Sequence, residues 1–591
     1  MSDTGSKVGE ARDPTWSVQA IESLTRRVDT PRVATILHWS SLAAAFVVLV
    51  VVNRHQWFQT DEWNFLVDRE VVGNDDNHGI WDAHNEHWYT LTVVAYRGLF
   101  VVFGVQTYLP YLLMMILVQL LTVHLLWRLL RRMGVDLLLA TCGCAVFAVF
   151  GAGWENLTQA FQVSFIAPIT AGLAALLVLP EEGPFQRRDV AAWGLGLVAL
   201  MSAAGVGLVV VGVIGLFTLL GRGVRSAIVV VAVPAIAYAA WYLVYGPGDG
   251  APGQSTSQGI ADAPAFAWRG LVDAMDSTTG LAGIGAVVLV IVFVWTVRAA
   301  RPQEWAWQVA LSTAAGAVVF LLLVSVGRSG FGLQVAGSAR YTYVVVALLM
   351  PLLLLAIDRG LRGTPLRVVV LLGVTALLLL VQVRELRSQA NASAELEQEQ
   401  KRRIVATAQL LADGEPVIFS VPVPIFIPNL STDEIASLDA DGLLPGNVEP
   451  AEEDVLTARI YTQLVVGDAP AVEGTNRPTV GAAHGAQVEL LAGGDCVVVV
   501  PMSDAPSVDL RFTGPGSVEV TTSRTGQLAA QVREAGTSGP YSAARVFPVV
   551  GGQESYVSFA TGGFVVVLGI PADGQTELCG VDVASDIGAA T

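Results

Sequence analysis

The stretch TRRVDTPRVATILHWSSLAAAFVVLVVV, residues 25–52, decides the class of this protein. Val33 to Val52 is an apolar run of about the length that crosses a hydrocarbon core as a helix. Arg26, Arg27 and Arg32 lie just before it, and no small-residue cleavage site follows. The run therefore reads as a retained span, not a signal peptide. Similar runs recur at 108–130, 137–152, 162–180, 190–203, 205–220, 226–245, 279–297, 306–326, 341–357 and 366–383. Hydrophobic residues make up 53% of the chain against 14% charged ones, so the bilayer is the main solvent for about eleven spans.

The basic residues test this count, because Lys and Arg are retained on the cytoplasmic side. Arg26, Arg27 and Arg32 precede the first span, Arg128, Arg131 and Arg132 follow the second, and Arg187 and Arg188 follow the fourth. Arg222 and Arg225 follow the sixth, Arg298 and Arg301 the eighth, and Arg359, Arg362 and Arg367 lie between the tenth and eleventh. Every second connection is basic, which predicts an inner, cytoplasmic membrane protein with residues 1–32 inside and the carboxyl tail outside. Val190 to Leu220 is long enough for one helix, but a turn at Ser202 to Gly205 keeps the later charges in phase. The net charge of -17 resides largely in the external segments and makes nucleic acid an unsuitable partner.

Beyond the membrane domain, 33–383, the hydropathy collapses. Residues 384–415 are rich in Glu, Gln, Ala and Arg and predict a helical stalk. Residues 416–591 alternate β-branched runs such as CVVVVP, SVEVTT and GFVVVLG with Gly, Pro, Asp and Ser clusters, the pattern of a β-sandwich or jelly roll. Cys496 and Cys579 fall in this external domain and are expected to be bonded, whereas Cys142 and Cys144 sit inside a span as small apolar fillers. Tyr461, Tyr541, Tyr556 and Phe564 are aromatics of the kind that stack on sugars, yet aromatics more commonly fill a core, so no sugar site is assigned to them.

The external loop 53–107 carries the densest chemistry. Asp61 and Glu62 follow the first span by a few residues, a position suited to chemistry on a lipid-anchored substrate. A plainer account makes them first-turn acids opening an interfacial helix through WNFLVDR, and the two accounts are compatible. In HNEH, a helix would put His84 and His87 on one face beside Glu86, where a divalent ion such as Mg or Mn would find ligands. Histidine and tryptophan also serve as simple interfacial anchors. Trp88 to Gly104 includes Arg97 and would break the charge alternation as a span, so it reads as an interfacial helix. Two further external edges are polar: GWENLTQAFQ, 153–162, and GRSGFGLQVAGSARYTY, 327–343. Arg340 and Arg328 in the second are of the type that grips a phosphate, although arginines also bind headgroups.

In layout, and in the pieces TDEW, HNEH, WENLTQAFQ and SARYTY, the chain resembles bacterial, often actinobacterial, members of the GT-C superfamily of integral-membrane glycosyltransferases. The resemblance implies a polyprenyl-phosphate-linked sugar as donor and a cell-envelope glycan or glycolipid as acceptor. It implies a catalytic carboxylate at Asp61, with Glu62 beside it, and inversion by single displacement. The candidate substrate contacts on these external edges and in HNEH are Arg340, Tyr341, Arg328, Glu155, Gln162, His84, Asn85 and His87. A WWDYG-like motif is absent, which disfavours protein N-glycosylation. The competing readings are a flippase of lipid-linked sugars and a non-catalytic envelope scaffold. The flippase calls for ionisable residues within the spans, where His124 is the main exception to an apolar composition.

Overall fold

The computed structural model of the chain describes residues 30–66, 79–84, 87–246, 256–361, 367–417, 430–472 and 476–584. It divides into two compact units. The first comprises Met1–Gln56, His78–Leu99 and Tyr108–Ala394, and the second Trp57–Asn77, Phe100–Thr107 and Glu395–Thr591.

The first unit is helical. Among the described residues of the chain, nine helices are long and apolar enough to cross a membrane: Pro31–Val52, Leu109–Arg132, Leu137–Thr158, Ala160–Val178, Ala204–Arg222, Val224–Tyr245, Trp305–Arg328, Ala339–Gly360 and Arg367–Ala412. The last leaves the first unit at Ala394 and continues in the second. A tenth candidate is a broken pair, Gly259–Thr279 and Ile284–Ala299, bent by 110°.

Two of the expected runs are shorter than a full crossing. The run at 190–203 is the helix Arg187–Ser202 of 16 residues, roughly 24 Å at 1.5 Å per residue. It stops at Ala203, whose extended backbone (φ -163, ψ 109) separates it from Ala204–Arg222. The region 190–220 is thus two helices. Gly207 permits their close approach, because a Cβ there would meet the backbone of Ala199 and Leu200. The run at 279–297 is Ile284–Ala299, and the helix Thr256–Thr279 before it was not anticipated from the sequence. Its buried residues Ala263, Phe266, Ala267, Ala274 and Met275 recur at helical spacing.

Ion pairs gather the arginine-rich turns at one end of this unit. Arg132 pairs with Glu181 at 2.8 Å, Arg359 with Glu304 at 3.3 Å, and Arg367 with Asp136 at 2.9 Å and Asp358 at 3.2 Å. Arg222 meets Asp189 through two contacts, 2.6 and 3.0 Å, with both side chains buried. The same guanidinium donates to the carbonyls of Gly183 and Pro184, so it fixes the turn between two helices as well as the pair.

The second unit contains a sandwich. Its strands are β1 (Leu464–Gly467), β2 (Thr479–His484), β3 (Ala486–Leu490), β4 (Cys496–Pro501), β5 (Ser507–Phe512), β6 (Gly516–Thr522), β7 (Gly526–Glu534), β8 (Arg545–Val549), β9 (Glu554–Phe559), β10 (Phe564–Gly569), β11 (Thr576–Cys579) and β12 (Asp582–Val583). One sheet has the order β1-β9-β6-β11-β4-β3 and the other β12-β2-β5-β10-β7-β8. Pairing is antiparallel except between β12 and β2. The inward valines and leucines of both sheets, among them Val497, Val499, Val518 and Val520 facing Leu510, Val532, Val566 and Leu568, form one core. The helix Glu452–Gln463 adds Leu456, Ile460 and Tyr461 to that core. Buried Arg545 donates to the carbonyls of Ile460, Tyr461 and Leu464, satisfying the end of this helix.

Cys496 and Cys579 form the expected disulfide. They are directly opposed on the neighbouring strands β4 and β11, and the bond closes a loop across a sequence separation of 83. Loop-closure entropy assigns such a link about 4.5 kcal/mol at most.

Two stability measurements test this packing. Asp189→Ala leaves the Arg222 guanidinium buried without its partner and is expected to cost about 3–5 kcal/mol, read as a lowered thermal midpoint in detergent. The double variant Cys496→Ser, Cys579→Ser is expected to lower the unfolding midpoint of the sandwich by an amount of the order of 2–4 kcal/mol. An unchanged midpoint in both variants would contradict the packing described.

Candidate functional site at the Glu155–Arg340 pair

The segment between the helices Leu137–Ala148 and Val163–Val178 is not continuous helix. It passes through a 3-10 turn at Gly151–Gly153, a short helix Trp154–Thr158, extended Gln159 and a second 3-10 turn at Ala160–Gln162. Its freed backbone groups find partners on other helices. Ala152 N–H donates to Gln382 Oε1 at 2.8 Å, Asn53 Nδ2 donates to the Leu157 carbonyl at 2.7 Å, and Ala160 N–H donates to the Tyr108 hydroxyl at 2.7 Å. Gly151 is required here, since a Cβ would run into the Gln382 backbone carbonyl.

This arrangement presents half-buried Glu155 to Arg340, with Oε2 2.6 Å from Nε. Arg340 and Tyr341 open the helix Ala339–Leu361, immediately after the 3-10 turn Leu333–Gly337. The Tyr341 ring is buried and meets Phe320 edge-on at 5.8 Å. Exposed Arg328, the last residue of Trp305–Arg328, acts electrostatically on the Tyr341 phenol, as do Arg340 and Glu155. Arg328 also acts on His87. The His87 ring lies against Gly205, where a Cβ would stand 3.3 Å from Cε1. Burial and then Arg328 lower the His87 pKa to about 4, so the imidazole is neutral near pH 7. Five of the sequence-selected residues, Glu155, Arg340, Tyr341, Arg328 and His87, therefore share one cluster. Among the described residues it holds two guanidiniums and one carboxylate.

The HNEH segment departs from expectation. His84 and His87 do not share a helical face: each N–H donates to the other's carbonyl, at 3.0 and 2.9 Å, which closes a two-residue turn. The turn is held from outside the motif. Trp88 stacks on Trp241 with ring centroids 5.2 Å apart and planes within 3°, and Trp241 Nε1 donates to the Trp81 carbonyl at 2.6 Å. The Tyr89 ring meets both imidazoles edge-on, at 5.6 Å from His84 and 6.0 Å from His87. Asn85 and Glu86 lie outside the described residues. Among the described residues, His84 and His87 join no third metal ligand; the one group at ligand spacing is Cys496, Glu577 and Cys579, whose two thiols are already a disulfide.

Asp61 and Glu62 belong to the second unit, in the helix Thr60–Leu66. The Asp61 side chain lies outside the described residues. Glu62 is fully buried, and its Oε2 accepts from the N–H of Gln59 at 3.1 Å, the reach-back of a third-position acid at a helix start. The helix is seated in an aromatic cluster of Trp57, Phe58 and Trp63, whose centroids lie 5.6 to 5.8 Å apart. The Trp57 N–H donates to Glu397 Oε2 at 2.6 Å. The first-turn account of Glu62 thus fits its geometry.

Gln162 is fully buried, with its amide 3.4 Å from Gln159 Oε1. Neighbouring Asn156 is also fully buried, and both its side-chain polar atoms lack a hydrogen-bond partner among the described residues. Sequence reasoning missed Gln382, which accepts from Ala152 and donates to the carbonyls of Ser277 and Thr278 at 3.1 and 2.9 Å. Its signal was available, as a lone amide in the apolar run LLLLVQV. Comparison of the chain with known protein families, curated proteins and solved structures yields no match.

The depressed His87 pKa makes a signed prediction. Between about pH 6.5 and pH 4 the unfolded chain binds the proton that folded His87 refuses, so this residue's contribution to stability falls as pH falls through that window and is complete above it. NMR of imidazole-labelled protein in detergent is expected to find His87 neutral at pH 5.5. Arg328→Ala is expected to raise its midpoint, and a lowered or unmoved midpoint in that variant would break the proposed coupling.

Proposed function

We propose that this protein is an integral-membrane glycosyltransferase that moves a sugar from a polyprenyl-phosphate donor to an envelope glycan or glycolipid. On this reading about eleven helical segments cross the cytoplasmic membrane, the amino terminus is inside, and the chemistry lies outside. The single observation that carries the reading is the cluster of Arg328, Arg340 and Tyr341 at helix ends, with Glu155 orienting Arg340.

In the proposed step, the acceptor hydroxyl oxygen attacks the anomeric carbon and gives its proton to a carboxylate base, the role that the resemblance carries to Asp61. The bond from that carbon to the phosphate oxygen breaks, and the polyprenyl phosphate leaves with one more negative charge. Guanidiniums answer that charge as it develops, which is where fixed electrostatics contribute most. Neutral His87 supplies hydrogen bonding rather than charge. Glu62 is engaged at its helix start, and the resemblance alone assigns the base to Asp61.

A second reading, translocation of a lipid-linked sugar, draws on the 110° break between Gly259–Thr279 and Ile284–Ala299, because broken helices are common in transporters. The polar groups at that break, half-buried Asp276 and buried Gln382, are engaged with backbone: Asp276 accepts from Gly283 and Gly285 at 2.8 and 2.6 Å. This favours a structural hinge over a transport site.

The test is transfer by purified protein in vesicles, using radiolabelled polyprenyl-phosphate sugars and an envelope-glycan acceptor. Asp61→Asn is expected to slow transfer by about 10²–10⁴-fold, and Arg328→Ala and Arg340→Ala by about 10²–10³-fold. Undiminished transfer in Asp61→Asn removes the mechanism, while flipping of the lipid-linked sugar without transfer selects the second reading.

A further inference from the structure

The four aromatics singled out in the sandwich sequence differ in burial. Tyr461 and Phe564 are core residues, and Tyr556 is half-buried with its hydroxyl 3.3 Å from Glu519. Tyr541, in the connection between β7 and β8, is 44% exposed. The Arg533 guanidinium lies 5.6 Å from its ring centroid.

Arg533 stands on β7 and reaches across β10 to Asp509 on β5, with Nη2 3.2 Å from Oδ2. The register sets Val565 of β10 opposite Arg533 and Val567 opposite Asp509. Val566 between them belongs to the core, so these side chains occupy the outward face of the sheet. Outward Val565 is nonetheless only 2% exposed, as befits a residue beneath an arginine stem. His484, at the end of β2, comes within 3.6 Å of Asp509 Oδ1, too far for a hydrogen bond, and its side chain is 61% exposed.

Two polar atoms of this ion pair are buried and lack a hydrogen-bond partner among the described residues: Asp509 Oδ1 and Arg533 Nε. The first is an acceptor and the second a donor. A hydroxyl group answers both at once, since it donates one hydrogen and accepts on its lone pairs. The carboxylate disfavours an anionic ligand and the guanidinium a cationic one. An exposed aromatic ring beside a hydroxyl-sized donor and acceptor suits a ligand with an apolar ring face and polar edges.

We infer that the outward face of the sheet at Asp509, Arg533 and Tyr541 binds a neutral saccharide. One sugar hydroxyl lies between Asp509 Oδ1 and Arg533 Nε, displacing the exposed His484 imidazole, and the sugar ring covers Tyr541. This site is built within the sandwich and does not rest on the transferase reading.

The test is affinity electrophoresis of the full-length protein in a detergent without a sugar headgroup, through gels containing soluble galactan, arabinan, mannan or glucan. At least one polysaccharide is expected to retard the wild type, with affinity reduced about tenfold or more in Tyr541→Ala and also reduced in Asp509→Asn. Tyr541 is exposed, so its variant keeps the test valid if the loss of the Asp509 ion pair unfolds the sheet. Failure of all four polysaccharides to retard the wild type overturns the inference and leaves the polar atoms to water. Equal retardation of wild type and Tyr541→Ala overturns it too, by locating binding elsewhere. The assay contains no lipid-linked donor, so its outcome is independent of the transfer measurement.

Discussion

A chain embedded in hydrocarbon has no water with which to satisfy unwound backbone, so every break in a helix must be answered by side chains from its neighbours. The first unit meets this constraint with a few uncharged polar residues. Gln382 serves two breaks at once, accepting from Ala152 in the turn at Gly151–Gly153 and donating to Ser277 and Thr278 at the end of Thr256–Thr279. Asn53 and Tyr108 serve Leu157 and Ala160, and Asp276 receives the first N–H groups beyond the 110° bend. Because these partners exist, the chain can interrupt α-helical geometry between Ala148 and Trp154 and again at Gln159 inside the protein. That departure is what turns Glu155 toward Arg340.

The two ends of the helical unit use charge differently. At the arginine-rich turns, cations are matched by carboxylates, and the buried Arg222–Asp189 pair also fixes backbone at Gly183 and Pro184. Such pairs add little net stability over apolar packing, but they penalise any arrangement that separates them, which suits a bundle whose turns must hold register. At the other end, among the described residues, the cations outnumber the carboxylates. One carboxylate stands with two guanidiniums, and the nearby imidazole is held neutral.

Much of the fold was legible because hydrophobic run length and strand alternation are local signals. Val33 to Val52 and CVVVVP announce a span and a core strand without help from elsewhere. The turn at Ser202 to Gly205 was inferred from charge alternation, and the backbone breaks at Ala203. What failed required long-range information. Thr256–Thr279 includes Pro264, Arg269, Asp273 and Asp276, so it reads as a polar connection until its apolar stripe is seen buried. His84 and His87 are spaced equally well for one helical face or for the two sides of a tight turn, and the choice is made by Trp241, far along the chain. For the candidate site, the sequence supplied Glu155, Arg328 and Arg340 as separate edges. It had no means of pairing them, because the pairing depends on a broken helix that Gln382 makes tolerable.

Within the cluster, the two arginines are not equivalent. Arg340 is matched by Glu155 at 2.6 Å, so its charge is largely compensated and its position fixed. The described neighbours of Arg328 are neutral: the Tyr341 phenol, the His87 imidazole and, at 6.0 Å, the Phe331 ring. Burial first, and this charge second, keep His87 deprotonated. An anion bound at Arg328 would relieve that repulsion and ease protonation of His87, and by reciprocity a protonated His87 would strengthen anion binding. The arrangement thus couples one exposed cation to one buried base.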